Sequence, residues 1–222
     1  MKLVELKNDI KYYNNFLSNE ECESIIKYFH MLIEKNKIEW SPISFYESYA
    51  MGFFHEDNDL LELGLPSNYL MQLKEKVKQA SEEAMGRKIK EVGFHAQKWI
   101  EGAYANFHSD NSDHDGNYNA FEKSKYAAFI YLNEDFEGGI LNFKNFDISI
   151  KPKKGMLAVF DGGHENEHEV TKVTSGVRYT IGSFWDYEEA EYSKEKIEQW
   201  ELEISELRKQ QEQDRKNWGI KW

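Results

Sequence analysis

The sequence predicts a mostly β protein, a sandwich or jelly roll with helices packed against it, and three observations carry that prediction. From Lys88 onward, short apolar segments are separated by turn residues with no helical pattern between them: IKEVGFHAQKW, YAAFIYLN, ILNF, DISI, MLAVF and VRYTIGSFW. Before Lys88, two segments repeat their apolar residues at helical spacing. After Tyr187 the composition turns strongly charged around a narrow apolar seam.

Residues 3–17 begin with a partly alternating pattern (Leu3, Val4, Leu6, Ile10) that suits an opening strand. Ser18 and Glu21 then form a capping-box signature, and Cys22, Ile25, Ile26, Phe29 and Leu32 follow at helical spacing, predicting a first helix over about 19–35. The aromatic stretch 40–54, with Trp40, Phe45, Tyr46, Tyr49, Phe53 and Phe54, reads as short strands or a bent loop. Ser67 is positioned to cap a second helix that runs to Met85, with Leu70, Leu73, Val77, Ala80 and Ala84 on one face and Gly86 at its end. The polar segment NSDHDGNYNAFEK, 111–123, is expected to be a mobile loop. In the tail, Ile197, Trp200, Ile204, Leu207 and Gln211 recur at alternating spacings of three and four, so a helix there either folds back on the domain or pairs with another subunit. This reading divides the chain into one domain, 1–187, with helical support at 18–86 and a β core at 88–187, followed by a helical extension, 188–222.

A net charge of -12 argues against broad contact with nucleic-acid backbones, which need a basic face. No apolar run approaches the roughly 20 residues needed to span a bilayer, and the start, MKLVELKND, does not resemble a signal peptide. A soluble cytoplasmic protein without membrane contact is therefore expected. Cys22 is the only cysteine, so neither an internal disulfide nor a Cys-based zinc site can form.

The chemistry-bearing residues cluster in the β half. His108 and Asp110 are two positions apart, so on a regular strand both project from one face and can bind one ion. A distant histidine, His164 or His168, would complete a set of two imidazoles and one carboxylate, which suits non-heme Fe(II). Fe(II), Mn(II) and Zn(II) all accept such donors.

In order, the chain shows Gly102, Tyr104, His108, Asp110, Tyr131, Leu132, Asn133, Gly138, Gly139, Pro152, Gly155, His168, Val170, Gly176, Arg178 and Trp185. This pattern resembles the prolyl 4-hydroxylase-like branch of the 2-oxoglutarate and Fe(II)-dependent dioxygenases. With the helix opening NFLSNEECESII, the likeness covers roughly 10–187. It implies a double-stranded β-helix of cupin-like form, with Fe(II) held by His108, Asp110 and His168. The spacing from His168 to Arg178 selects His168 over His164, which is left a solvent-exposed or outer-sphere role. Arg178 would grip the distal carboxylate of 2-oxoglutarate, Tyr131 would offer its hydroxyl to the same group, and Trp99 would line the cosubstrate pocket.

The implied activity couples O2-dependent decarboxylation of 2-oxoglutarate, to succinate and CO2, with hydroxylation of a C–H bond, with ascorbate as a candidate cofactor. Peptidyl proline is the implied substrate, and a free amino acid or small metabolite is the alternative. Many relatives have an arginine before the Tyr-Leu-Asn strand, where this chain has Ser124 and Lys125. The nucleic-acid dealkylase branch carries a second arginine shortly after the first, and YTIGSFW after Arg178 has none. A non-catalytic jelly-roll binding module is the reading outside enzymology, and homodimerisation through the tail helix is the expected protein contact.

Overall fold

The computed structural model describes residues 2–43 and 48–218, with side chains given up to Gln213 except Gln211, so Phe45 and Tyr46 of the aromatic stretch lie outside the described residues. The strands are β1 (Lys2–Glu5), β2 (Lys11–Asn14), β3 (Ser41–Pro42), β4 (Tyr49–Met51), β5 (Ile89–Trp99), β6 (Ala105–His108), β7 (Tyr126–Tyr131), β8 (Leu141–Phe143), β9 (Ile148–Ile150), β10 (Leu157–Asp161), β11 (His168–Val170) and β12 (Arg178–Tyr187). The helices are α1 (Asn19–Glu34), the single turn α2 (Asp59–Glu62), α3 (Tyr69–Met85) and α4 (Lys194–Trp218).

Eight strands form one sheet in the order β1-β2-β10-β7-β12-β5-β4-β3, and four form a second in the order β6-β11-β8-β9. Every strand pair is antiparallel. The two sheets face each other as a double-stranded β-helix, with helices covering the outer face of the larger one.

Alternation along the strands explains how one sheet serves two cores. On the outer face, Ile130, Val159, Ile181 and Trp185 pack with Ile25, Phe29 and Leu32 of α1 and Leu73 and Val77 of α3. On the inner face, Ala127, Tyr131, Ala158 and Phe160 meet Leu141, Phe143 and Ile150 of the smaller sheet. The unbroken apolar run YAAFIY of β7 follows directly, because both of its faces are buried.

The capping box of α1 is fully formed: Ser18 Oγ accepts from the Glu21 amide at 3.1 Å, and a Glu21 carboxylate oxygen accepts from the Ser18 amide at 2.8 Å. Gly86 closes α3 in the left-handed conformation. The start of α3 differs from expectation. Its cap is Asn68, whose side chain makes no capping bond, while Pro66 supplies its carbonyl to the Tyr69 amide. The sequence reading also missed α2 and β11, one a single turn and the other three residues long.

The segment 111–123 is a loop of turns and bends, tied to its surroundings at several points. Asn111 Nδ2 donates to the Ser124 carbonyl at 3.0 Å, Asp113 accepts from the amides of Asp115 and Asn117, and Ser112 bridges Tyr118. The tail helix braces the end of this loop. Trp200 is buried against Tyr192 with its ring centroid 5.0 Å away, and Lys196 Nζ lies 2.6 Å from Glu122. Beyond that point α4 leaves Leu202 and Leu207 exposed. No helix among the described residues is long and apolar enough to cross a membrane.

Replacing Ser18 with Ala removes the side-chain half of the capping box, the Oγ that accepts from the Glu21 amide, and leaves the backbone half; chemical denaturation of the S18A protein should show a loss of about 1 kcal/mol with an unchanged m-value.

Candidate active site

Strand pairing assembles the site. β6 and β11 are hydrogen-bonded neighbours with His108 directly opposite His168, which places two imidazoles from distant parts of the chain side by side with centroids 4.4 Å apart. Two residues past His108 the chain has left the strand, and the amide of Asp110 donates to the Gly162 carbonyl at 2.9 Å. This turns its carboxylate under the two rings. Asp110 Oδ1 lies 3.8 Å from His108 Nε2 and 3.9 Å from His168 Nε2. Gly162 permits the approach, since a Cβ there would stand 2.6 Å from the Ser124 carbonyl oxygen and 3.0 Å from Asp110 Cβ.

The orientation of both rings is set from behind. His108 Nδ1 is 2.7 Å from the carbonyl of Asn106, and His168 Nδ1 is 3.0 Å from the carbonyl of Asn166. A carbonyl can only accept, so each Nδ1 carries the hydrogen and each Nε2 presents a lone pair toward Asp110. The three ligand atoms lie within 4.8 Å of one another, the one such group of three among the described residues.

Burial leaves this cluster electrostatically incomplete. It pushes the Asp110 carboxyl up to about 8, with Asp161 adding to the effect, and it pushes His168 well below the ordinary imidazole range, with His108 contributing. Asp110 Oδ2 is buried without a hydrogen-bond partner. A divalent cation between these atoms supplies the charge and the partner that are missing, so the donor set fits an iron of the 2-His-1-carboxylate kind.

The barrel interior leads away from the triad in ordered rows. Arg178 stands opposite Trp99; Thr180 stands opposite both Gln97 and Tyr131; Gly182 stands opposite both His95 and Phe129. Two-residue steps separate the rows by roughly 6.6 Å. Gln97, Trp99, Phe129, Tyr131 and Arg178 line one continuous pocket with His108 and His168.

At its deep end the guanidinium of Arg178 lies between two aromatic rings, 5.0 Å from the Trp99 centroid and 5.1 Å from that of Tyr131. Gly139 makes room, because a Cβ there would come within 2.8 Å of Arg178 Cδ. Arg178 is 2% exposed, yet among the described residues its Nε and Nη1 have no hydrogen-bond partner of good geometry, the nearby Tyr131 hydroxyl offsetting its burial only in part. Burial lowers its pKa, which expresses the same deficit. A cation this deep calls for an anion, and a carboxylate matches its fork.

The structure thus brings His108, Asp110 and His168 together and sets Arg178, Tyr131 and Trp99 in one pocket beside them. The indole nitrogen of Trp99 faces Gln97 Oε1 at 3.3 Å. His164 lies in the 3-10 turn His164–Asn166, outside the three-residue cluster and against Gly116. Trp185 faces the helix-side core, and its neighbour Phe184 packs toward the barrel against Phe129. Lys125 is buried beside Glu122, with its ammonium 3.6 Å from the Tyr118 ring centroid.

Sequence reasoning missed Gln97. Its Oε1 accepts from Thr180 at 3.1 Å as well as facing Trp99, and its amide nitrogen is 3.2 Å from His95 Nε2. The apolar alternation of β5 points to its other face, so a polar residue on the inner face carries no signal of its own.

Fold and site together have the form of a 2-oxoglutarate- and iron-dependent oxygenase core. Residues 94–186, which hold the triad and Arg178, match the family model of the 2OG-Fe(II) oxygenase superfamily, and the chain is prolyl hydroxylase-like in architecture. A stretch of 67 residues is 42% identical to human prolyl 3-hydroxylase 2, spanning 28% of this chain and 10% of that protein. Another of 84 residues is 32% identical to prolyl 3-hydroxylase 1 of Gallus gallus, spanning 36% and 12%. The match therefore spans about a tenth of the length of these curated relatives.

Among solved structures, a viral collagen prolyl hydroxylase from Paramecium Bursaria Chlorella virus-1, in its 2OG complex, aligns with a TM-score of 0.60 at 19% identity, over 82% of this chain and 97% of that one. A Pseudomonas putida prolyl-4-hydroxylase aligns with the same TM-score at 16% identity, over 82% and 94%. Fe(II) and 2-oxoglutarate are the cofactor and cosubstrate of this class, and the unbonded Asp110 oxygen and Arg178 nitrogens fit the one and the other.

Arg178→Met removes a buried charge that lacks a carboxylate partner among the described residues, so the metal-free protein should lose little stability or gain some. With a divalent metal present, 2-oxoglutarate about 100-fold above its Kd should raise wild-type stability by about 2.7 kcal/mol, and thermal melts of R178M should lack that gain.

Proposed function

We propose that this protein hydroxylates proline within a peptide or protein, using Fe(II) held by His108, Asp110 and His168 and 2-oxoglutarate anchored through Arg178 and Tyr131. The observation that carries the reading is the placement of a buried guanidinium, without a carboxylate partner among the described residues, in the same pocket as two histidines of a three-ligand metal cluster. Exposure supports the separation of roles: the fully buried Arg178 and Tyr131 hold the far carboxylate, and the triad, whose His108 is partly exposed, fixes the metal. The bound iron and cosubstrate together supply the oxidising chemistry, and the protein supplies ligation, orientation and a dry pocket.

Peptide recognition is supported by the relatives and by the Trichoplax adhaerens prolyl hydroxylase solved with a hypoxia inducible factor peptide, which aligns with a TM-score of 0.60 at 16% identity. The relatives by sequence are prolyl 3-hydroxylases and a structural neighbour is a prolyl-4-hydroxylase. The ring position attacked is therefore the first property to measure.

A second proposal concerns α4, which we infer pairs with α4 of another copy. Its exposed Leu202 and Leu207 lie beyond the anchored Trp200. Its first half, 194–206, carries five glutamates and two lysines, while 208–216 carries Arg208, Lys209, Arg215 and Lys216 against Glu212 and Asp214. Antiparallel pairing sets the acidic half of each helix against the basic half of the other.

Purified protein with Fe(II), 2-oxoglutarate and proline-rich peptides should release succinate in step with a 16 Da gain on proline, and amino-acid analysis should distinguish 3- from 4-hydroxyproline. His168→Ala should abolish metal binding and turnover while His164→Ala leaves both in place; the opposite result would exchange their roles. Sedimentation should show a concentration-dependent dimer that Leu207→Asp converts to monomer.

A further inference from the structure

The side chain of Asn166 is completely buried, and every polar group of this residue is engaged. Its Nδ2 donates to the carbonyl of Asn8 at 3.1 Å and to that of Asp161 at 3.0 Å, and its Oδ1 accepts from Asn8 Nδ2 at 2.9 Å. Its own amide donates to the Gly163 carbonyl at 3.0 Å. Its backbone carbonyl faces His168 Nδ1.

The two histidines of the triad differ in what stands behind them. Asn106, whose carbonyl serves His108, lies within β6, between the residues that pair with Val170 and His168 of β11. Asn166 precedes β11 and belongs to the 3-10 turn, where no ladder fixes its carbonyl. Its side chain takes over that task by fastening the turn to two other places. One is Asp161, at the end of β10. The other is the turn between β1 and β2, where Asn8 and Asp9 take left-handed conformations, with φ of 48° and 57°, and Ile10 roots the turn in the barrel core.

We propose that Asn166 is the positioning residue of the His168 imidazole, and that Asn8 of the N-terminal hairpin is its working partner, so that a turn 158 residues away in sequence helps set the geometry of a metal ligand. The inference rests on His168 being a ligand, as proposed above. A ligand imidazole needs its second nitrogen satisfied by a fixed acceptor: loss of that acceptor frees the ring to rotate and to move its proton to Nε2, the atom required by the metal.

The test uses the full chain. Long-range 1H–15N spectra of the metal-free protein should show His168 with its proton on Nδ1 in the wild type and a mixture of tautomers in Asn166→Ala. Calorimetric titration with Mn(II) should show affinity reduced by about 10–100-fold in N166A, the range typical for lost outer-sphere partners, and by a smaller factor in Asn8→Ala. Asn145→Ala is the control, because Asn145 Nδ2 holds the neighbouring Glu165 carbonyl at 2.9 Å; it should lower the melting temperature without changing the tautomer or the affinity. If N166A does not fold, N8A decides. An unaltered tautomer and Mn(II) affinity in the folded variants would overturn the inference. Failure of the wild type to bind Mn(II) would instead sink the metal-site reading, with the tautomer measurement still reporting on the clamp.

Discussion

A guanidinium buried without a carboxylate partner among the described residues is the constraint from which the rest of this structure can be understood. Arg178 sits buried between two aromatic rings, with two of its nitrogens lacking a hydrogen-bond partner among the described residues. Desolvating a cation is costly, and a fold built for stability alone would pair it or replace it. Retaining it makes sense if a ligand brings the counter-charge. The metal cluster has the complementary problem, since its buried carboxylate lacks a cation. The two deficits share one pocket, so a metal and a dicarboxylate resolve both at once.

Rigid secondary structure holds these groups in place. His108 and His168 are cross-strand partners, and Arg178, Trp99, Tyr131 and Gln97 all stand on the long antiparallel sheet. The opposite face of that sheet is clamped by α1 and α3 through a continuous apolar core. Positions on one strand therefore serve two purposes by alternation: Ile181 and Trp185 stabilise, while Arg178 and Thr180 face the pocket. Glycines mark the points of closest approach, at Gly139 beside Arg178 and Gly162 beside Asp110. Any larger residue there would displace the groups whose placement the site depends on.

Much of this is legible in the sequence because the site is built from rare, chemically distinctive residues in a fixed order. His108 and Asp110 stand out as a pair by type and spacing, His168 and Arg178 through the order of motifs that carries the family resemblance, and the capping box at Ser18 marks α1 to within a residue. What escapes notice does so for physical reasons. β11 is three residues of mixed polarity, too short for alternation to register, although it carries His168. Gln97 and Asn166 are neutral amides, which in a sequence look like surface or turn residues; only their burial and their partners reveal a role. The loop 111–123 has the composition of a mobile segment, yet Asx turns and the docking of Trp200 hold it. Composition reports what a segment could do in isolation, and tertiary contacts decide the outcome.

The central claim is that one pocket binds a divalent metal and a dicarboxylate through separate sets of residues. Its most direct measurement is a crystal structure of the protein soaked with Mn(II) and 2-oxoglutarate. The account predicts metal density coordinated by His108 Nε2, Asp110 and His168 Nε2, with the far carboxylate of 2-oxoglutarate bonded to Arg178 and within reach of the Tyr131 hydroxyl. Metal bound elsewhere, or a carboxylate that leaves Arg178 unpaired, would contradict it.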